Sequence, residues 1–243
     1  MNQNIKNAAV DLNKISIKFG SFTAVDEVTL QIGEGEIVGL LGSNGAGKSS
    51  TMKTIAGVLK PTSGSIRIGE YDLSKPREAE LAKGYTGYCP DVGGLVVGAT
   101  PREHIQLLLN LHRRQNKYPV ALSLIEKLGL QEFVDTPVGG FSHGMQRRLS
   151  VLLAAMGSTK VLVLDEPFDG VDPLGVDGIN DIVFEAAQNG LGVIISTHLQ
   201  SLLTNISDRM IVMKKGSVIH EGSPSEFSGE AGVKYYQNLL ETH

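Results

Sequence analysis

Eight residues, Gly42-Ser43-Asn44-Gly45-Ala46-Gly47-Lys48-Ser49, constrain this chain more than any other stretch. They fit G-x-x-x-x-G-K-[ST], and they lie between an apolar run of strand length, residues 36–41, and a segment from Ser50 to Leu59 that reads as a helix. Strand, glycine loop and helix together make a phosphate cradle. The glycines let backbone N–H groups converge on phosphate oxygens, and the helix start adds its positive end. The cradle runs from Gly42 to Ser50, with Lys48 reaching the outer phosphates and the Ser49 hydroxyl facing Mg²⁺. A nucleotide site is the first expectation.

Composition narrows what surrounds that loop. At 243 residues the chain is long enough to bury a substantial core. A formal charge of −4 with no basic run gives no electrostatic footprint for nucleic acid, and none for binding an anionic lipid surface unaided. The single cysteine, Cys89, excludes an internal disulfide and fits a reducing compartment. The polar start, residues 1–6, lacks the apolar core of a signal peptide, and no run of eighteen apolar residues occurs. The expectation is a cytoplasmic protein. The other histidines, His104, His112, His220 and His243, have no ligand spacing, so no metal beyond Mg²⁺ is expected.

Periodicity changes along the chain. Ile15, Ile17 and Phe19 alternate with Ser16 and Lys18, and Val28, Leu30 and Ile32 with Thr29 and Gln31; Ser65-Ile66-Arg67-Ile68 alternates again. An antiparallel β opening beside the phosphate-loop strand follows. From about residue 90 to 155 the pattern is helical. Thr100, Pro101 and Glu103 form a capping box with proline in the first turn, a second helix runs from about Val120 to Leu128, and Ser142 caps a third through Met156. Strands and helices then alternate: residues 161–164, Pro173 to Gln188, Gly192 to Ser196, Leu199 to Ile206, and Met210 to Met213. Uninterrupted apolar strands between helices argue for a mostly parallel sheet covered on both faces. Residues 224–243 read as a short capping tail.

Three further features carry chemistry. The buried run Val161-Leu162-Val163-Leu164 ends in Asp165-Glu166. Ligands collect at the carboxyl ends of strands in open α/β sheets. Asp165 is therefore expected to hold Mg²⁺, directly or through its waters, and Glu166 to polarise the water that attacks the γ-phosphate. His198 follows the next strand and is placed to bond the γ-phosphate and that water. Phe141-Ser142-His143-Gly144 opens a helix with a serine cap and a glycine in its first turn, a second anion-binding helix start in one chain. A single ATP needs only one such loop per chain, so the duplicate can serve a phosphate on another copy.

In this order and spacing, the motifs resemble the ATPase subunit of an ABC transporter, over about Val10 to Phe227. The resemblance implies the P-loop NTPase fold of that family: a mostly parallel core sheet, an N-terminal antiparallel β subdomain and an inserted helical subdomain, all in one domain over 1–243. It implies that Phe19 stacks on adenine. Asp91, in Tyr88-Cys89-Pro90-Asp91, would sense the γ-phosphate, approach the metal and contact a membrane subunit. Ser142 and Gly144 would complete the ATP site of the opposite protomer, and residues 169–172 would link the two sites. ATP and Mg²⁺ are the implied cofactors. The implied partners are a second copy of the chain and a separately encoded membrane permease, which would hold the chain on the cytoplasmic membrane face.

Departures from the family pattern refine this. Asp91 stands where glutamine is usual, His143 and Met145 replace a glycine and a glutamine of the signature, and Ser43 stands where proline is common. The first two resemble a bacterial efflux-type branch, which implies export. An importer subunit and a soluble ABC-type ATPase acting on ribosomes or DNA remain as alternatives. A P-loop kinase would leave the Ser142 helix and the Asp165-Glu166 pair unexplained, and a dinucleotide-binding dehydrogenase would want a third glycine where Ser50 stands.

Overall fold

The computed structural model describes residues 8–242, so the polar N-terminal stretch and His243 lie outside the described residues. Two sheets organise the chain. The first strands are β1 (Ala8–Phe19), β2 (Phe22–Gly33) and β3 (Ile37–Leu41), followed by α1 (Lys48–Ile55), β4 (Ser63–Ile68) and β5 (Tyr71–Asp72). Next come α2 (Pro76–Lys83), β6 (Thr86–Cys89), α3 (Pro101–Leu111), α4 (Tyr118–Lys127) and α5 (His143–Gly157). The remainder is β7 (Val161–Asp165), α6 (Pro173–Gln188), β8 (Gly192–Ser196), α7 (Gln200–Ile206), β9 (Arg209–Lys214), β10 (Ser217–Gly222) and α8 (Gly229–Thr242). One sheet is antiparallel, ordered β2-β1-β4-β5; the other is ordered β10-β9-β3-β8-β7-β6 and is parallel except for its β10 edge.

The apolar strands are buried on both faces, as their unbroken hydrophobicity requires. In β7, Leu162 and Leu164 face a core shared with α3, α4, α5 and α6, while Val161 and Val163 face α1 and the antiparallel sheet. In β3, Ile37 and Leu41 take the first side, Val38 and Leu40 the second. This places the carboxyl ends of β3, β7 and β8 together, where the phosphate loop and the acidic pair emerge.

Most expected elements form at the expected places, and the differences have local causes. The α3 capping box forms, with Thr100 accepting from the Glu103 amide and Glu103 accepting from the Thr100 amide. Ser16 is buried rather than outward, because irregular register around Ile15 and Ile17 breaks the two-residue alternation; its hydroxyl accepts from the Glu27 amide. The helix after the phosphate loop begins earlier, at Lys48, and ends at Ile55 rather than Leu59, because Gly57 takes a φ of +68°. Strands β5, β6 and β10 and helix α2 were not expected.

Strand β6 depends on one glycine. A Cβ on Gly87 would overlap the carbonyl oxygen of Ala154 and stand 2.8 Å from the Ser158 side chain, so α5 lies directly on the strand backbone. Backbone cannot yield as a side-chain tip can. Gly87→Ala should therefore cost about 3 kcal/mol, a lowering of the melting temperature of about 6–12 °C for a chain this size, read by thermal unfolding. An unchanged melting temperature would mean that β6 and α5 separate freely.

Candidate nucleotide site

The phosphate loop is shaped by backbone that only glycine supplies easily. Gly47 has a φ of +103°, and a Cβ there would stand 2.6 Å from the Ala24 carbonyl oxygen. Around the loop lies a pocket of about 360 Å³, lined by residues 44–50 with Phe19, Phe22, Ala24, Asp91 and Glu166. Phe19 and Phe22 pair across the β1–β2 hairpin and are both more than half exposed, so an apolar rim stands open at the mouth. Gly42 and Ser43 act from behind: Lys48 Nζ donates to the Gly42 carbonyl at 2.7 Å and more weakly to that of Ser43 at 3.4 Å.

Lys48 is buried, and burial pulls its ammonium below its ordinary value against the opposing pull of Glu166, Asp165 and Asp91. Its Nζ lies 3.9 Å from Glu166 Oε1. The other carboxylate oxygen, Oε2, lies 3.1 Å from His198 Nδ1 and 3.4 Å from the His198 amide. Glu166 itself has a φ of +48°, an uncommon conformation for a side chain of this size, and its amide is held by both the carbonyl and the hydroxyl of Ser196. Such geometry fixes the carboxylate at the pocket wall. His198 touches Glu166 but does not line the pocket.

Asp165 is fully buried. Ser196 Oγ donates to its Oδ1 at 2.6 Å, while Oδ2 has no hydrogen-bond partner. Burial holds this carboxyl above its ordinary value, with Asp91 and Glu166 adding to the effect and the hydroxyls of Ser196 and Ser49 opposing it. A buried, unpartnered carboxylate oxygen beside a serine hydroxyl is a donor set suited to a hard cation. Among the described residues no three His, Cys, Asp or Glu groups gather for a metal. Mg²⁺ binds through one or two protein oxygens, which Asp165 and Ser49 would supply, and completes its shell with water and phosphate.

Asp91 reaches the pocket on a loop gripped by α5. Arg147 donates to the Pro90 carbonyl at 2.6 Å, to the Asp91 carbonyl, and to Asp91 Oδ1 at 3.4 Å. Cys89, just before, is buried, and burial raises its thiol to about 11.

Ser142 and Gly144 lie at the start of α5, where Ser142 accepts from the Met145 amide; neither lines the pocket. Gly144 has a reason within the chain as well: a Cβ there would overlap the Gly170 carbonyl, so residues 169–172 pass directly over the helix start. His143 Nδ1 lies 3.8 Å from Asp169 in the same contact.

Sequence reasoning missed Phe22, Ser196 and Arg147. Ser196 pairs in register with Asp165, so the expected parallel neighbours β7 and β8 carried the signal. Phe22 is the hairpin partner of Phe19, but Arg147 left no signal, because its acceptors are mostly backbone carbonyls far along the chain.

Residues 25–169 match the family model described as ABC transporter. The chain belongs to this family of ATP-binding, ATP-hydrolysing cassettes. The lipopolysaccharide export system ATP-binding protein LptB of Haemophilus influenzae is 31% identical over 89% of this chain and 91% of its own length. Human ATP-binding cassette sub-family A member 10 is 34% identical over 87% of this chain, but the match spans only 14% of that protein. A solved ATP binding subunit of an ABC transporter superposes with a TM-score of 0.87 at 26% identity, covering 95% of this chain and 99% of its own. Among the described residues no helix is long and apolar enough to cross a membrane.

Proposed function

We propose that this chain, as a single ABC cassette over 1–243, powers export by hydrolysing ATP between two copies of itself docked on a separately encoded membrane permease. The observation that carries the reading is the incomplete pocket. Phosphate loop, Phe19, Asp91 and Glu166 gather around it, while the second anion-binding helix start, at Ser142 and Gly144, stands outside. A facing copy supplies what one chain lacks. Export is favoured by LptB, whose printed role is export, and by the efflux-type departures at Asp91, His143 and Met145. Its working place is then the cytoplasmic face of the membrane.

Within the site, Gly42 to Ser50 wrap the phosphates and Lys48 neutralises their outer oxygens. Phe19 stacks on the base. Ser49 and Asp165 would hold Mg²⁺, with Asp91 on the same pocket, and the ion would supply charge neutralisation to the phosphates. Glu166 accepts the proton of the attacking water at its carboxylate, and His198 fixes that carboxylate and bonds the γ-phosphate. Positioning and electrostatics supply nearly all of the acceleration that phosphoryl transfer needs.

Ser142→Arg tests the facing-copy arrangement. The variant should bind ATP as tightly as the parent, because Ser142 is outside the pocket of its own chain, yet fail to dimerise with ATP and lose hydrolysis by about 100-fold or more. Weakened binding by the monomer would show that Ser142 acts within its own chain. Gentle detergent extraction of the tagged chain should co-purify a polytopic membrane protein; ribosomes or DNA in its place would favour a soluble ATPase.

A further inference from the structure

We infer that Arg147 is a positioning residue that sets Asp91 at the phosphate end of the pocket and ties that placement to helix α5. The inference rests on the reading of Asp91 as a γ-phosphate and metal neighbour. It starts from a side chain that family motifs leave without a role here. Arg147 lies one helical turn beyond Gly144 in α5, and it is buried at 4% exposure. A buried guanidinium is costly unless its donors are used. Its two terminal nitrogens bond to the site rather than to its own helix. Nη1 reaches the Pro90 carbonyl at 2.6 Å and the Asp165 carbonyl at 3.5 Å, and Nη2 reaches both the carbonyl and the carboxylate of Asp91. Three backbone carbonyls from two strand ends, β6 and β7, are thus held by one planar fork on the helix that carries Ser142.

The fork explains why an acidic residue is accommodated at 91. Asp91 is about half exposed and lines the same pocket as Glu166. Arg147 offsets the charge of Asp91 and aims the carboxylate. Because arginine presents its donors in a fixed plane, movement of α5 carries Pro90 and Asp91 with it. A helix start that engages a facing copy is thereby coupled to the placement of Asp91 in its own pocket. Lysine could neutralise Asp91 but not bridge the same carbonyls. Nε of Arg147 has no partner, so the contact is made wholly through the two terminal nitrogens.

The test is a kinetic cycle on the full chain: Arg147→Gln, Asp91→Ala and the double variant, with Arg147→Lys as a milder second probe. Steady-state ATP hydrolysis, ATP affinity and melting temperature are measured for each. Arg147→Gln should lower kcat about 10-fold or more with KM for ATP within about twofold, because the phosphate loop is untouched. Arg147→Lys should recover part of kcat. In the Asp91→Ala background, Arg147→Gln should cost little further, since the group it aims is gone. An equal fold-loss in both backgrounds, or a loss tracking only the melting temperature, would reduce Arg147 to helix packing and overturn the inference. Should Arg147→Gln fail to fold, the same cycle is run with Arg147→Lys, and additivity there overturns it equally. If Asp91→Ala alone keeps full kcat, the role of Asp91 falls first, and the inference with it.

Discussion

Glu166→Gln should bind ATP at least as tightly as the parent chain and hydrolyse it about 10³-fold more slowly, about 4 kcal/mol in the barrier. The amide has nearly the shape of the carboxylate, so it can keep the contact with His198 that now lies at 3.1 Å. What it loses is the ability to take a proton from water. Removing a negative charge from the pocket wall also eases the approach of the γ-phosphate. Lys48, which lies 3.9 Å from Glu166 Oε1, loses a carboxylate that competes with the nucleotide. ATP should therefore persist between two chains, and size-exclusion chromatography with Mg²⁺ and ATP should show a dimer that the parent forms only transiently. Turnover within a few-fold of the parent would remove Glu166 from the reaction and leave His198 to be tested as the base. A slow variant that stays monomeric would instead count against the paired-chain site while leaving the chemistry of Glu166 in place.

The parts of this site that are legible in sequence are those with local causes. The phosphate loop declares itself because its glycines, lysine and serine must be contiguous. The capping box of α3 and the span of α6, Pro173 to Gln188, are equally local, set by side chains within one turn. Strand β6 is different. Thr86-Gly87-Tyr88-Cys89 has little periodicity, and it is a strand because β7 pairs with it and α5 lies on Gly87. Ser196 and Arg147 escaped for the same reason: each acts through a contact made by tertiary packing. Gly144 shows how one residue can carry two causes. Its place in a helix start suggests phosphate, yet the close passage of Gly170 demands glycine whether or not phosphate ever arrives. Substituting Gly144 therefore mixes folding with binding, whereas Ser142, exposed and free of that contact, separates them.

Asp165→Asn should move activity and stability in opposite directions. Hydrolysis should fall about 10³-fold or more, because a neutral amide is a poor ligand for Mg²⁺. The nucleotide-free chain should at the same time melt about 2–4 °C higher near neutral pH, on the order of 1 kcal/mol. The reason is the burial of Asp165, which holds its carboxyl above the ordinary value and leaves Oδ2 without a partner. A folded state that prefers the protonated acid binds more protons than the unfolded chain. Stability of the parent must then fall as pH rises from the unfolded value of 3.8 through the higher folded one. The asparagine, which can still accept from Ser196 Oγ, carries no such penalty. Its advantage should be full above the folded value and shrink as pH approaches the ordinary carboxylate range, where the parent is itself neutral. Thermal unfolding of both chains without nucleotide across that range is the measurement. A parent more stable than the variant near neutral pH would mean that the fold itself compensates the buried carboxylate. A residual hydrolysis near that of the parent would mean that the metal is held elsewhere. If both expectations hold, Asp165 is kept at a cost to the empty fold that its ligand removes. Binding Mg²⁺ with ATP should then stabilise the parent by more than it stabilises the variant.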